Sequence, residues 1–254
     1  MLESHIRSRL REKKILLMTH IVIGYPSLEA SFDIVRTMVE AGVDLMELQI
    51  PFSEPIADGP MILKANQHAL ASGVTVADCL EFGRRVADAF PIPFLYMTYY
   101  NILFKHGVAR FADRMKADGM TGAIVPDLPP EEAGDYLAAM GKNGLSPIFI
   151  FSPTTTEARM RTIAAVADGF VYCVARKGVT GDRTDFSRTM DDYLGRCRQA
   201  TGLPLALGFG VKGRSDIKFL EGKADIAIIG TQALRLIARE GIAAVGPFIR
   251  DLQM

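Results

Sequence analysis

Glu47 lies in the run Asp44-Leu-Met-Glu-Leu-Gln-Ile50. Strand alternation there puts Met46, Leu48 and Ile50 on one face and Leu45, Glu47 and Gln49 on the other. The apolar face suits packing against helices, which turns Glu47 and Gln49 towards the inside of a barrel. A carboxyl group partly withdrawn from water is suited to giving and taking protons near neutral pH; a structural carboxylate paired with a buried Lys or Arg produces the same pattern. The next segment, Pro51-Phe-Ser-Glu-Pro-Ile-Ala-Asp-Gly-Pro60, carries three prolines and a glycine, so it reads as a loop with a restricted backbone. It offers Asp58 as a second carboxylate that can fold back over the strand end. Taken alone, Asp58-Gly-Pro is an ordinary turn, and its chemical weight comes from Glu47 nearby.

Three glycine-bearing segments follow late apolar runs: Gly178-Val-Thr-Gly181, Gly208-Phe-Gly210 and Gly230-Thr231. Glycine lets backbone N–H groups approach an anion closely, and a helix starting at Thr231 aims its positive end at the same place. Each alone is readable as a simple turn; together they point to a phosphate held by backbone groups rather than by an arginine clamp. Tyr172 shares a strand face with Phe170 and Val174, which suits either core or substrate contact. Phe209, flanked by glycines, is placed to close over something. Lys177 is either a Schiff-base lysine or a solvated one beyond the strand end. The polar stretch 178–189, GVTGDRTDFSRT, is long enough for a lid. His5, His20, His68 and His106 lack metal-ligand spacing, so no metal is expected.

These residues need a scaffold that gathers strand ends. Apolar runs at Leu16–Ile23, Leu45–Ile50, Phe94–Thr98, Gly122–Val125, Pro147–Phe151, Phe170–Val174, Leu205–Gly208 and Asp225–Ile229 read as eight strands. Helical patterns separate them, at Ala30–Ala41, Val76–Ala89, Val108–Asp118, Pro130–Gly141, Thr156–Val166, Ser187–Ala200, Gly213–Glu221 and Thr231–Ala238. Strands alternating with helices pair in parallel. The turn after the first strand reads GYPSLEA, without the GxGxxG of an open dinucleotide-binding sheet. The expected fold is a single-domain (β/α)₈ TIM barrel over 1–254, with a short N-terminal extra helix in MLESHIRSRLREKK. In such a barrel chemistry collects at the C-terminal strand ends.

Composition sets the outer limits. Hydrophobic residues at 49% and charged residues at 23% are those of a globular chain with a large core. Lys plus Arg and Asp plus Glu number 29 each, so the broad charge footprint of a nucleic-acid or anionic-lipid binder is missing. Three distant cysteines, Cys79, Cys173 and Cys197, form no CxxC pair, and no leader or spanning segment is evident. A cytoplasmic enzyme with no nucleic acid or membrane partner is expected.

The stretch Glu47-Leu-Gln-Ile-Pro-Phe-Ser-Glu-Pro-Ile-Ala-Asp-Gly-Pro60 closely resembles the signature of tryptophan synthase α subunits. The likeness continues through Tyr99-Tyr-Asn101, Val125-Pro-Asp127-Leu-Pro129, Arg176-Lys-Gly-Val-Thr-Gly181 and Gly208-Phe-Gly210, and covers nearly the whole chain. The resemblance implies a barrel lyase that cleaves indole-3-glycerol phosphate to indole and glyceraldehyde 3-phosphate and passes indole to a β subunit carrying pyridoxal phosphate, in an αββα heterotetramer. It implies no cofactor on this chain. Carried over residue by residue, it makes Glu47 the catalytic acid/base and Asp58 the catalytic aspartate. It makes Tyr172 an active-site tyrosine, Thr180 a lid-loop threonine and Phe209 a contact to indole. Gly181, Gly210, Gly230 and Thr231 match the phosphate positions, the last commonly Ser. Glu54, Tyr99 and Asn101 match loops near the β-subunit contact. Four residues depart from the pattern: Gln49 stands where glycine is frequent, His20 where phenylalanine is, Tyr25 where aspartate is, and Glu54 where aspartate is.

Overall fold

The computed structural model describes residues 2–56, 58–175, 183–208 and 210–253, with the side chains of 183–188 outside that description. Eight parallel strands close into a barrel in sequence order: β1 (Leu16–Val22), β2 (Leu45–Gln49), β3 (Phe94–Met97), β4 (Gly122–Ile124), β5 (Ser146–Phe151), β6 (Val171–Val174), β7 (Leu205–Gly208) and β8 (Ile226–Ile229). All eight expected strands are there, within a few residues of their expected ends.

Helix α1 (Leu2–Arg9) precedes the barrel, and the outer layer is formed by α2 (Leu28–Glu40), α3 (Pro60–Ala71), α4 (Val76–Ala89), α5 (Tyr100–His106), α6 (Val108–Ala117), α7 (Gly134–Asn143), α8 (Glu157–Ala164), α9 (Arg183–Ala200), α10 (Arg214–Leu220), α11 (Thr231–Glu240) and α12 (Val245–Gln253). Local chemistry marks their ends. Ser27 caps α2 by accepting from Ala30 N at 3.1 Å, and Thr75 and Asp78 form a reciprocal capping box on α4. Helices α3, α5 and α12 were not expected. Pro60, read as the end of a loop, is the first residue of α3, where its missing N–H costs nothing. Likewise, 183–189 of the expected lid belongs to the first turns of α9, while 178–182 lie outside the described residues.

Two cores result from the two strand faces. Leu16, Met18, Leu45, Leu95, Ile124, Ile148, Phe170 and Ile226 fill the barrel, and Leu2 and Ile6 of α1 join them. The N-terminal helix therefore plugs the end of the barrel opposite the loops after the strands. Lys13 and Arg9 hold it there through Asp44, at 2.8 and 3.2 Å. Leu17, Ile21, Met46, Leu48 and Tyr96 face outward into the helix layer. The alternation expected in β2 is thus observed, with Glu47 and Gln49 on Leu45's side of the strand.

Candidate active site

At the C-terminal ends of the strands a cavity of about 620 Å³ opens. Glu47, Asp58, Tyr172, Gly210, Gly230 and Thr231 all line it, so six of the residues singled out in the sequence share one wall system. Thr180, Gly181 and Phe209, and with them Lys177, lie outside the described residues. Met97, Ile124, Ile150 and Ile228 give the cavity an apolar floor suited to a flat aromatic group.

Register explains the placement of Glu47. In the β1–β2 pairing His20 is the partner of Glu47 and Val22 of Gln49. His20 Nδ1 lies 3.0 Å from Glu47 Oε1, with His20 3% and Glu47 2% exposed. Burial disfavours charge on the imidazole. The hydrogen bond and charge of Glu47, with the charge of Asp58, outweigh it, so the pKa of His20 is raised. Tyr172 holds its phenolic proton well past the ordinary range, first because it is buried and then because Glu47 and Asp58 face it. Its hydroxyl is a neutral donor at physiological pH.

Asp58 is held by Gln49, which sequence reading turns into the barrel, and by Asn66, which it does not name. Gln49 Nε2 donates to Asp58 Oδ2 at 2.6 Å, and Asn66 Nδ2 donates to the same oxygen at 3.3 Å. Asn66, fully buried on α3, also accepts from Phe52 N at 2.9 Å and so ties the loop to the helix. Asn66 was missed because α3 was not expected; His20 was named as a departure, but its bond to Glu47 was missed because strand pairing sets it.

Beyond β1 from the carboxylates, β8 runs straight into α11, whose first turn begins at Thr231 with Gly230 before it, close to His20. Unpaired N–H groups and the helix dipole make that end favourable for an anion. Lys212 and Arg235 also line this cavity, which corrects the expectation that glycines alone converge here. On the rim, Glu54 and Asn101 are exposed. Tyr99 is not. It is 1% exposed and stacked on Phe52 with ring centroids 4.7 Å apart, so it supports the loop from beneath rather than forming its surface. Asp127 caps α5 beside it by accepting from Tyr100 N at 2.9 Å.

Among the described residues no cluster of three or more His, Cys, Asp or Glu could hold a metal, and no helix is long and apolar enough to cross a membrane. Cys79, Cys173 and Cys197 are buried and unbridged.

A closed (β/α)₈ barrel with paired carboxylates and a helix N-terminus facing one cavity defines a barrel enzyme for a phosphorylated substrate. The family model described as tryptophan synthase alpha chain matches residues 6–245. A tryptophan synthase alpha chain from Syntrophotalea carbinolica is 66% identical over 253 residues, covering 100% of both chains. One from Desulforapulum autotrophicum is 61% identical, covering 99% of this chain and 100% of that one. A solved tryptophan synthase from M. tuberculosis, in an aminoacrylate-bound form, superposes with a TM-score of 0.90 at 30% identity, covering 99% of this chain and 97% of that one. The chain belongs to the tryptophan synthase alpha chain family.

Proposed function

We propose that this chain, acting as one catalytic domain over 1–254, cleaves indole-3-glycerol phosphate to indole and glyceraldehyde 3-phosphate by acid/base chemistry. It is a carbon–carbon lyase of tryptophan biosynthesis. The observation that carries the reading is one cavity lined by Glu47 of β2 and Asp58 after it, by Tyr172 from β6 across the barrel, and by the start of α11 after β8.

Retro-aldol cleavage delivers a proton to the indole carbon that leaves and removes one from the side-chain hydroxyl. Glu47 does both in turn, since a single carboxyl group can alternate as acid and base. Asp58, fixed by Gln49 and Asn66, accepts from the indole N–H and offsets the positive charge that develops on the ring when its carbon is protonated. The neutral Tyr172 hydroxyl donates within the same site. Gly210, Gly230 and Thr231 hold the phosphate; the phosphate, lid and indole-contact roles that the family resemblance gives to Gly181, Thr180 and Phe209 fall on positions outside the described residues. No Schiff base and no cofactor on this chain are required.

Indole passes to a tryptophan synthase β subunit, which carries the pyridoxal phosphate, in an αββα heterotetramer in the cytoplasm. The contact involves the loops bearing Glu54 and Asn101. Ile56, 77% exposed, and Phe104, 70% exposed, stand on the same two segments as apolar side chains in need of cover. The experiment is indole release from indole-3-glycerol phosphate, with and without a β subunit. Release of indole with equimolar glyceraldehyde 3-phosphate, quickened by the β subunit, supports the reading; no indole in either case overturns it.

A further inference from the structure

The proposed acid/base does not stand alone. His20 and Glu47 are register partners on adjacent strands, both buried, with Nδ1 and Oε1 3.0 Å apart. The outer atoms of the pair, His20 Nε2 and Glu47 Oε2, are buried and find no hydrogen-bond partner among the described residues, and both residues line the cavity. Buried polar atoms without partners are costly, and a site keeps them where a ligand completes them.

We propose that His20 is a positioning residue for the cleavage: its Nδ1 occupies Glu47 Oε1, leaves Oε2 to meet the substrate, and shares with Glu47 the one proton that the cycle passes through the carboxyl group. This rests on Glu47 being the acid/base. Nδ1–H stays the donor to Oε1 throughout: with the mobile proton on Nε2 the pair is imidazolium and carboxylate, and with it on Glu47 Oε2, passed there through the substrate hydroxyl in the cavity, the pair is neutral imidazole and carboxylic acid at the same net charge. The acid form gives its proton to the ring carbon. The carboxylate left behind takes the hydroxyl proton as the carbon–carbon bond breaks and its electron pair returns to the ring, so the pair regains its proton and none is consumed.

Among the described residues the groups facing the pair are Asp58 from the loop after β2 and Tyr172 from β6, with Lys212 and Arg235 as the cations along the cavity. Asp58 and Glu47 together keep the imidazole protonated above its ordinary 6.5 despite burial. Loss of that proton at higher pH leaves Glu47 as a carboxylate with nothing to deliver. Activity therefore falls as pH rises through the raised pKa of His20.

The test is kcat/KM for indole release against pH in wild type, His20→Asn and Glu47→Gln, each with the β subunit. Asparagine keeps an N–H donor near the place of Nδ1 but cannot carry the proton. The descending limb should then move to lower pH by about one unit or more, because a carboxyl group alone ordinarily releases its proton before an imidazole does. Near pH 7.5 kcat should drop about tenfold, with KM nearly unchanged. A wild-type profile and wild-type kcat in His20→Asn overturn the proposal. Imidazole titration by nitrogen NMR gives a second readout that needs no folded His20 variant. His20 should titrate above 6.5 in wild type and below it in Glu47→Gln; the same ordinary value in both overturns the coupling. An active Glu47→Gln sinks the reading of Glu47 itself, whereas an inactive one beside an unshifted His20→Asn profile sinks only the role of His20.

Discussion

Gln49 donates its side-chain amide to Asp58 Oδ2 at 2.6 Å, which fastens a strand residue to a carboxylate nine positions further along the chain. Asn66 completes the brace by bonding the same oxygen and by holding Phe52 N. Asp58 is thus preset rather than left to a mobile loop, and Gln49 supplies a donor where the family frequently has a glycine with none. Truncating Asn66→Ala strands buried partners in both loop and strand. We expect a stability loss of about 1–3 kcal/mol, with lower kcat/KM, read from thermal melts and indole release. An unaltered melt and rate would show that the brace is incidental.

Asp58→Asn removes the negative charge proposed to meet the indole N–H and replaces an acceptor of the Gln49 amide with a group that also donates. A loss of about 10²–10³-fold in kcat is expected, typical of removing one preorganised electrostatic contact from a transition state. Full activity would return Asp58 to the status of a turn residue.

Gly208 is the last residue of β7, and a Cβ added there would sit 3.1 Å from Tyr172 Cε1 and 3.2 Å from its hydroxyl oxygen. The ring can yield into the cavity, so Gly208→Ala should leave the melting temperature close to wild type. It should displace the Tyr172 hydroxyl and lower kcat/KM about tenfold. Steady-state kinetics at constant stability check this, and an intact kcat/KM would mean that the position of Tyr172 is not critical.

In the proposed site, phosphate binding divides between backbone and cations. Gly210 has φ +83°, a conformation that side-chain-bearing residues rarely adopt, and nothing else crowds it. Gly210→Val should weaken calorimetric binding of glycerol phosphate about tenfold or more by shifting the loop. Arg235→Ala, at an exposed position, should cost less, and its contribution should shrink as salt is raised. A larger effect from Arg235→Ala than from Gly210→Val would reverse the assignment.

The strand faces were legible because period-two alternation in Leu45–Gln49 leaves Glu47 one way to point once Met46 and Leu48 are buried against helices. The same holds for the run into Gly230-Thr231, where a strand end and a helix start meet. The partners of the catalytic groups were not legible. His20 meets Glu47 through the β1–β2 register, and Asn66 reaches Asp58 only because α3 starts at Pro60 and turns back over the loop. Tyr99 differs from Asn101 for a related reason: Asn101 is exposed, whereas the Tyr99 side chain turns inward beneath Phe52.

The central claim is that the Glu47 carboxyl group moves the protons of cleavage. Glutamine keeps its size and one acceptor oxygen but cannot exchange a proton, so Glu47→Gln separates proton transfer from shape. The account predicts that indole release from indole-3-glycerol phosphate by Glu47→Gln, with fold and glycerol phosphate affinity preserved, drops about 10²–10⁴-fold. An unchanged kcat in the folded variant would contradict it.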